Sequence, residues 1–453
     1  MTAEQLLIAA LSAYARGEYL RTADYCQRAL DMPGVSDTLT VRLIYLALTA
    51  TELWWTIDPS KEVRAQVKAA VEAAERTGDP ALRALAAVCL GTYLIAAGGL
   101  PEAISAFESA ASHATESENS SIELQALACL GHHLIGRDMA RGIAVLNQAR
   151  AVAERCAHED PHPWDRPLVR VQLARLHGYI GVAAFDDGRF GEAETYLRRS
   201  LTDLMAAKSR DQFAMISNYL GQLLTTTGRF EEAEAVLRTA LRLLEVDADL
   251  SVHQGYNQGL LGKLYLEWGR LESADQMISA GWERVTRAGH VSIIPLLRTY
   301  LAELLMIPAY HRFDLNLARQ LCDDTVEECL RTGFQRSEIA ALALRALVDL
   351  RRGDLEGALE ASLRAVARLE ETGTMPALRT EEVYFARYLV LRTADSEEAQ
   401  AWLARAKAVL MAKAETLPSP ELRMSLLTRV PLSSAILHPP SGTPQVGVRA
   451  QEA

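Results

Sequence analysis

The chain has 453 residues, 49% of them hydrophobic, 23% charged and 6% aromatic, a composition that excludes disordered and fibrous classes and leaves a folded protein of many elements. Its 47 Lys and Arg stand against 58 Asp and Glu, a net charge of −11, and they alternate with the acids rather than cluster, which argues against general nucleic-acid binding. The most apolar stretch, around Ser292 to Tyr310, is broken by Arg298 and Glu303, so no membrane span is read.

In chain order, the start MTAEQLLIAAL has no basic segment leading into an apolar run with a cleavage site, so it does not read as a secretory signal. Amphipathic helical periodicity then predicts helix pairs near residues 4–32, 40–77, 82–115, 122–156, 167–206, 212–246, 253–288, 292–333, 336–372 and 378–416. A short helix with a Val-Pro break is expected over 419–437, and a Pro- and Gly-rich flexible tail over 438–453. Trp54 and Trp55, in the second pair, are expected in the core. The six cysteines, Cys26, Cys89, Cys129, Cys156, Cys322 and Cys329, have no close sequence pairing, which suits reduced, packed thiols in a cytoplasmic protein.

Four of the pairs share one phase. Counting from Gly91, Gly181, Gly221 and Gly262, a second glycine stands at plus seven (Gly98, Gly188, Gly228, Gly269), alanine at plus twelve and a bulky residue at plus sixteen (Phe107, Leu197, Leu237, Ile278). A small residue follows at plus nineteen (Ala110, Ser200, Ala240, Gly281). Small residues on facing sides let two short antiparallel helices approach, the bulky residue fills the seam, and the plus-seven glycine turns the chain. Each pair leaves an apolar face for its neighbour, so the pairs stack into a solenoid.

The segments LGTYLIAAGGLPEAISAFESA, IGVAAFDDGRFGEAETYLRRS, LGQLLTTTGRFEEAEAVLRTA and LGKLYLEWGRLESADQMISAG resemble tetratricopeptide repeats, with weaker copies around Gly17, Gly131 (one residue short), Gly353 and Ala399. The resemblance covers about nine tenths of the chain and implies an all-α fold, a right-handed α-α superhelix of about ten helix pairs. The family unit is about 34 residues, whereas Gly91, Gly131, Gly181, Gly221 and Gly262 are 40, 50, 40 and 41 residues apart. The longer unit is more similar to the superhelical sensor regions of bacterial transcriptional regulators and signal-transduction ATPases, and the closing SPELRMSLLTRVPLSSAIL adds to that likeness. With no phosphate-binding loop G-x-x-x-x-G-K-[ST] and no room for an upstream module, the expectation is a sensor part standing alone.

No residue constellation supports catalysis: there is no nucleophile elbow, no two-histidine metal helix and no dinucleotide turn. Adjacent His132 and His133 point about a hundred degrees apart on a helix and cannot share one site. The connector CAHEDPHPW offers Cys156, His158, Glu159, Asp160 and His162 as weak metal candidates, but their spacing matches no zinc motif and two prolines mark a loop. Catalytic residues, metal and cofactor are therefore expected to be none. The Arg-rich second helices (Arg198, Arg199, Arg238, Arg242) read as solvated faces paired with nearby Glu.

The resemblance implies one functional surface, the concave groove lined by first helices, where extended or helical peptides lie in that family. Groove positions at minus six, minus three and plus one from the anchors give Gln125, His132, Arg175, Met215, Asn218, Gln222, Tyr256 and Lys263. Amides at 218 and 222 are expected to face solvent and bond a peptide backbone, while Arg175 and Lys263 could hold a carboxylate. The Lys, Asn and Arg groups by which co-chaperone repeats grip an acidic chain end do not recur, so chaperone binding is not predicted. The expectation is a non-catalytic protein- or peptide-binding scaffold or adaptor. The alternatives are a peptide- or ligand-responsive sensor and an enzyme built on repeat helices, and self-association through the end repeats could accompany any of these.

Overall fold

The computed structural model describes residues 1–50, 61–97, 99–135, 137–158, 166–245, 251–289, 292–373 and 378–439. Among them the chain is helical throughout, without strands. The helices run α1 (Ala3–Ala15), α2 (Tyr19–Leu30), α3 (Asp37–Ala50), α4 (Lys61–Thr77), α5 (Pro80–Ala96), α6 (Leu100–Glu116), α7 (Ser120–Ile135) and α8 (Met139–His158). Then come α9 (Arg166–Asp186), α10 (Phe190–Ala206), α11 (Arg210–Thr226), α12 (Phe230–Leu244), α13 (Ser251–Glu267), α14 (Leu271–Arg287), α15 (Ile294–Leu305) and α16 (Leu315–Thr332). The series ends with α17 (Gln335–Arg352), α18 (Leu355–Thr372), α19 (Thr380–Thr393), α20 (Ala399–Glu415), α21 (Pro420–Arg429) and α22 (Pro431–Leu437). Each odd helix from α1 to α19 packs on the even helix that follows, and successive pairs stack through one continuous core.

The recurring glycine phase has a direct steric cause. A Cβ placed on Gly91 would stand 2.7 Å from the Phe107 ring, and one on Gly181, Gly221 or Gly262 would stand 2.8, 2.6 or 2.4 Å from Leu197, Leu237 or Ile278. The plus-sixteen side chain thus lies directly on the anchor glycine, and any larger residue there would separate the pair. Gly131 shows the shortened copy: its partner is Leu146, at plus fifteen, 2.7 Å away. The plus-seven glycines Gly188, Gly228 and Gly269 take φ of 77°, 75° and 78°, the left-handed turn that glycine adopts without strain. Gly98 lies outside the described residues, as do Trp54 and Trp55.

The superhelix is tightly wound, so that elements about five pairs apart touch. Near the amino end, the Tyr19 hydroxyl donates to the Lys208 carbonyl at 2.9 Å. At the turn between α9 and α10, the Phe190 amide donates to Thr416 Oγ1, which itself donates to the Gly188 carbonyl, both at 3.0 Å. One turn of chain further, a Cβ on Gly228 would lie 2.8 Å from the Ser425 carbonyl, and Arg429 pairs with Glu231 at 2.8 Å. The closing elements α21 and α22 therefore seat on the middle of the solenoid rather than trailing from its end. Their break follows from Pro431, whose ring disfavours helical geometry at the preceding residue; Val430 is extended, at φ −82° and ψ 120°.

The six cysteines are all buried free thiols, and burial pushes those of Cys26, Cys89, Cys322 and Cys329 up to about 12. On the second helices, Arg198 pairs with Glu194 and Glu232, and Arg238 with Glu234; such exposed pairs contribute at most about 1 kcal/mol each. No described helix is long and apolar enough to cross a membrane.

Candidate ligand-binding lumen

The odd helices line the inside of the superhelix, and their inner faces divide into a packed part and an open part. In the packed part, Tyr45 on α3 donates its hydroxyl to Gln125 on α7. Arg175 on α9 donates to Tyr179 at 2.7 Å and to Gln172 at 3.3 Å. The His132 ring stacks on Tyr179 with centroids 4.2 Å apart, and His133 stacks on Phe107 at 5.0 Å. Burial, then nearby positive charge, lowers both imidazoles, His133 to about 3, so both are neutral packing groups at physiological pH. Asn257 on α13 donates to Asn218 on α11 at 2.8 Å, and both are wholly buried.

This corrects the expectation that Asn218 and Gln222 are free solvent-facing amides. Asn218 is sealed between neighbouring helices, while Gln222 is half-buried and donates to the Tyr256 hydroxyl at 3.2 Å. Gln125, Arg175, Met215 and Tyr256 are buried too. The physical reason is curvature: in so tight a superhelix the positions three and six residues before each anchor glycine turn toward the adjacent first helix. Of the plus-one residues, one turn further along, Gln222 and Lys263 reach the lumen, whereas His132 stacks on Tyr179 in the packed part.

The open part lies between α11, α13, α15, α17 and α19. Two adjoining hollows of about 1020 and 1010 Å³, each counted with its open mouth, share Lys263, Glu267, Glu303, Leu344, Leu347, Arg379, Glu382 and Ala386. The floor of the second hollow is closed by Pro431, Leu432 and Ala435 of α22, with Phe385 and Leu389 beside them.

A charge network occupies the common wall. Lys263 and Glu267 are one helical turn apart on α13 and pair at 3.0 Å; Lys263 also pairs with Glu303 on α15. Arg379, at the start of α19, reaches Glu267 at 2.6 Å and Glu382 at 3.1 Å. Burial favours a neutral Glu267, but Arg379 and Lys263 outweigh it and hold the carboxyl at about 2. The Lys263 ammonium is likewise held above its ordinary value by Glu267 and Glu303 against the cost of burial. Glu303 moves the other way: burial, with Glu382 and Glu267 adding to it, raises its carboxyl despite Lys263. The network is thus preorganised, with Lys263, Glu267, Glu303 and Glu382 carried by helices and Arg379 by the residue that caps α19.

Glu267, Glu303, Arg379 and Glu382 escaped sequence reasoning. Glu267 carried a usable signal, since it follows the plus-one residue Lys263 by one helical turn, as Thr226 follows Gln222, and both line the cleft. Glu303, Arg379 and Glu382 carried none, because α15 and α19 lack the anchor glycine from which a phase could be counted. Of the metal candidates, Cys156 is buried, and Glu159, Asp160, His162 and the His158 side chain lie outside the described residues. No group of metal-binding side chains occurs among the described residues.

A family model for the tetratricopeptide repeat matches residues 219–243, within α11 and α12. No curated protein matches the chain. Among solved structures, the chain is similar to a Rap protein complexed with competence and sporulation factor, at 14% identity and a TM-score of 0.60, over 82% of this chain and 98% of that one. It is also similar to the Rap conjugation gene regulator of plasmid pLS20, in complex with a Phr peptide, at 14% identity and a TM-score of 0.51, over 82% and 95% of the two chains. At such identity the likeness speaks for the fold alone. The glycine phase, the stacked antiparallel pairs and these matches together make the chain a tetratricopeptide-like helical-repeat solenoid.

Proposed function

We propose that this protein binds a short peptide in the lumen and acts through that binding, without catalysis. The observation that carries the reading is the open cleft among α11, α13, α15, α17 and α19, in which a preorganised network of Lys263, Glu267, Glu303, Arg379 and Glu382 stands between apolar walls. Apolar walls with a few fixed polar groups are what a small ligand needs for affinity and orientation. Winding that brings elements five pairs apart into contact encloses the lumen, which suits a short peptide better than a folded partner. The Rap-type neighbour solved with a Phr peptide shows that this fold can hold one. Because the cleft spans five helix pairs, a ligand bridging them would change the superhelical pitch, which favours a peptide-responsive regulator over a passive scaffold.

The test is affinity purification of the tagged protein from its native host, with mass spectrometry of the released small material. Leu344→Arg serves as the blocked control, because Leu344 lines both hollows and is half-buried. A short peptide released by the wild-type protein and absent from the variant supports the reading. A stoichiometric folded partner retained equally by both would move the function to the outer surface.

A further inference from the structure

One lumen cation stands outside the charge network. Lys263 and Arg379 are each committed to two carboxylates, whereas Arg336, on the first turn of α17, forms no ion pair among the described residues. Its surroundings are phenolic: it reaches the Tyr256 hydroxyl, and Tyr300 and Tyr219 are its other close polar neighbours. The Asp186 carboxylate also acts on it electrostatically. Gln222, whose amide is fixed by the Tyr256 hydroxyl, and Ser337 border the same end of the cleft, with Phe185, Leu260 and Leu296 as apolar walls.

An arginine that pairs directly with no carboxylate among the described residues has guanidinium N–H groups to offer a ligand. Guanidinium presents two parallel N–H groups that match a carboxylate, and phenol hydroxyls beside it can add a further hydrogen bond, while the Gln222 amide, donating to the Tyr256 hydroxyl and the Asn218 carbonyl, holds the wall in place. The first turn of α17 adds main-chain N–H groups that no side chain caps, since Phe334 precedes it. Toward α22 the cleft turns apolar, through Leu344, Leu347, Phe385 and Leu432.

Resting on the peptide-binding reading, we infer that Arg336, with Tyr256, Tyr300 and Gln222, is the receptor for the free carboxyl terminus of the peptide, whose apolar side chains run toward Leu344 and Phe385. The ligand class is then a short apolar peptide with an unmodified C-terminus, entering carboxylate first. An apolar carboxylic acid carries the same chemistry, and the experiment separates the two.

The experiment presents the full chain with one tetrapeptide library in two forms, free acid and C-terminal carboxamide, and identifies retained peptides by mass spectrometry. Octanoate is tested separately by thermal shift. A charge-assisted bidentate contact contributes about 1.5–3 kcal/mol, so free acids should be retained at least about tenfold better than carboxamides. Arg336→Gln should abolish that preference and Arg336→Lys should keep part of it. Equal retention of acid and amide overturns the carboxylate site while leaving peptide binding standing. A preference that survives in Arg336→Gln overturns the assignment to Arg336. Octanoate binding without peptide binding keeps the carboxylate site and overturns the peptide reading; binding of neither overturns both. Should Arg336→Gln fail to fold, the acid-to-amide ratio on the wild-type protein and on Arg336→Lys decides the matter.

Discussion

The inner faces of α7 to α11 and of α13 to α19 are built from the same residue types and do opposite things. In the first region Gln125, Arg175 and Asn218 bond to side chains on their own or neighbouring helices and are sealed from solvent. In the second, Lys263, Glu267, Arg379 and Glu382 are held just as firmly but border an open cleft. A polar inner face on a repeat helix is therefore no evidence of a binding surface; what matters is whether the winding leaves space in front of it. The contacts of Thr416 with Gly188 and Phe190, and of Arg429 with Glu231, fix that winding.

The comparison is tested most severely at Glu267, the carboxylate that joins Lys263 to Arg379. Glu267→Gln leaves both cations with one remaining carboxylate each, and breaking a buried pair in this way costs about 3 kcal/mol. The sign with pH is fixed by the depressed carboxyl, whose contribution is complete above the ordinary carboxylate pKa and is lost as pH falls toward about 2. The variant should therefore melt well below the wild type at pH 7, and the gap should close on acidification, as read by calorimetry across that range. A gap independent of pH would mean that Glu267 supports the fold by packing alone.

Asn218→Ala is expected to behave as a core change and not as a ligand change. It strands the Asn257 amide in a site closed to water, an effect of about 2 kcal/mol. Thermal unfolding should drop accordingly, while peptide retention at a temperature where the variant is folded stays as in the wild type. Loss of retention by a folded, equally stable Asn218→Ala protein would extend the binding surface into the packed region and erase the distinction between the two.

How much of this was legible in the sequence can be argued from particular residues. The all-helical solenoid followed from the glycine phase, since Gly221 and Leu237, sixteen apart, are the very atoms in contact. Even the short copy at Gly131 kept its partner, Leu146. Lys263 and Gln222 were found in the lumen's wall because they stand one residue past an anchor glycine, but Asn218 was misplaced because the phase within one helix does not report how closely the next helix packs. Glu303, Arg336 and Arg379 were invisible for a different reason. They come from pairs without the anchor, and the cleft that joins them exists only because the superhelix curls within five pairs, a property of the accumulated small rotations and not of any one repeat.

The smallest expected effect is also the one that separates the two kinds of charge within the cleft. Glu303 is a carboxylate whose burial raises it above its ordinary value even though Lys263 pairs with it. A raised carboxyl in the folded state makes its contribution at low pH, where it is protonated in folded and unfolded chains alike, and that contribution is lost as pH rises through the folded value. Glu303→Gln removes the charge and keeps the shape, and Lys263 retains Glu267. The variant should thus match the wild-type melting temperature near pH 4 and exceed it slightly at pH 7, the opposite trend to Glu267→Gln. If both variants lose stability together at neutral pH, Lys263 needs both carboxylates, and the network is a structural clamp.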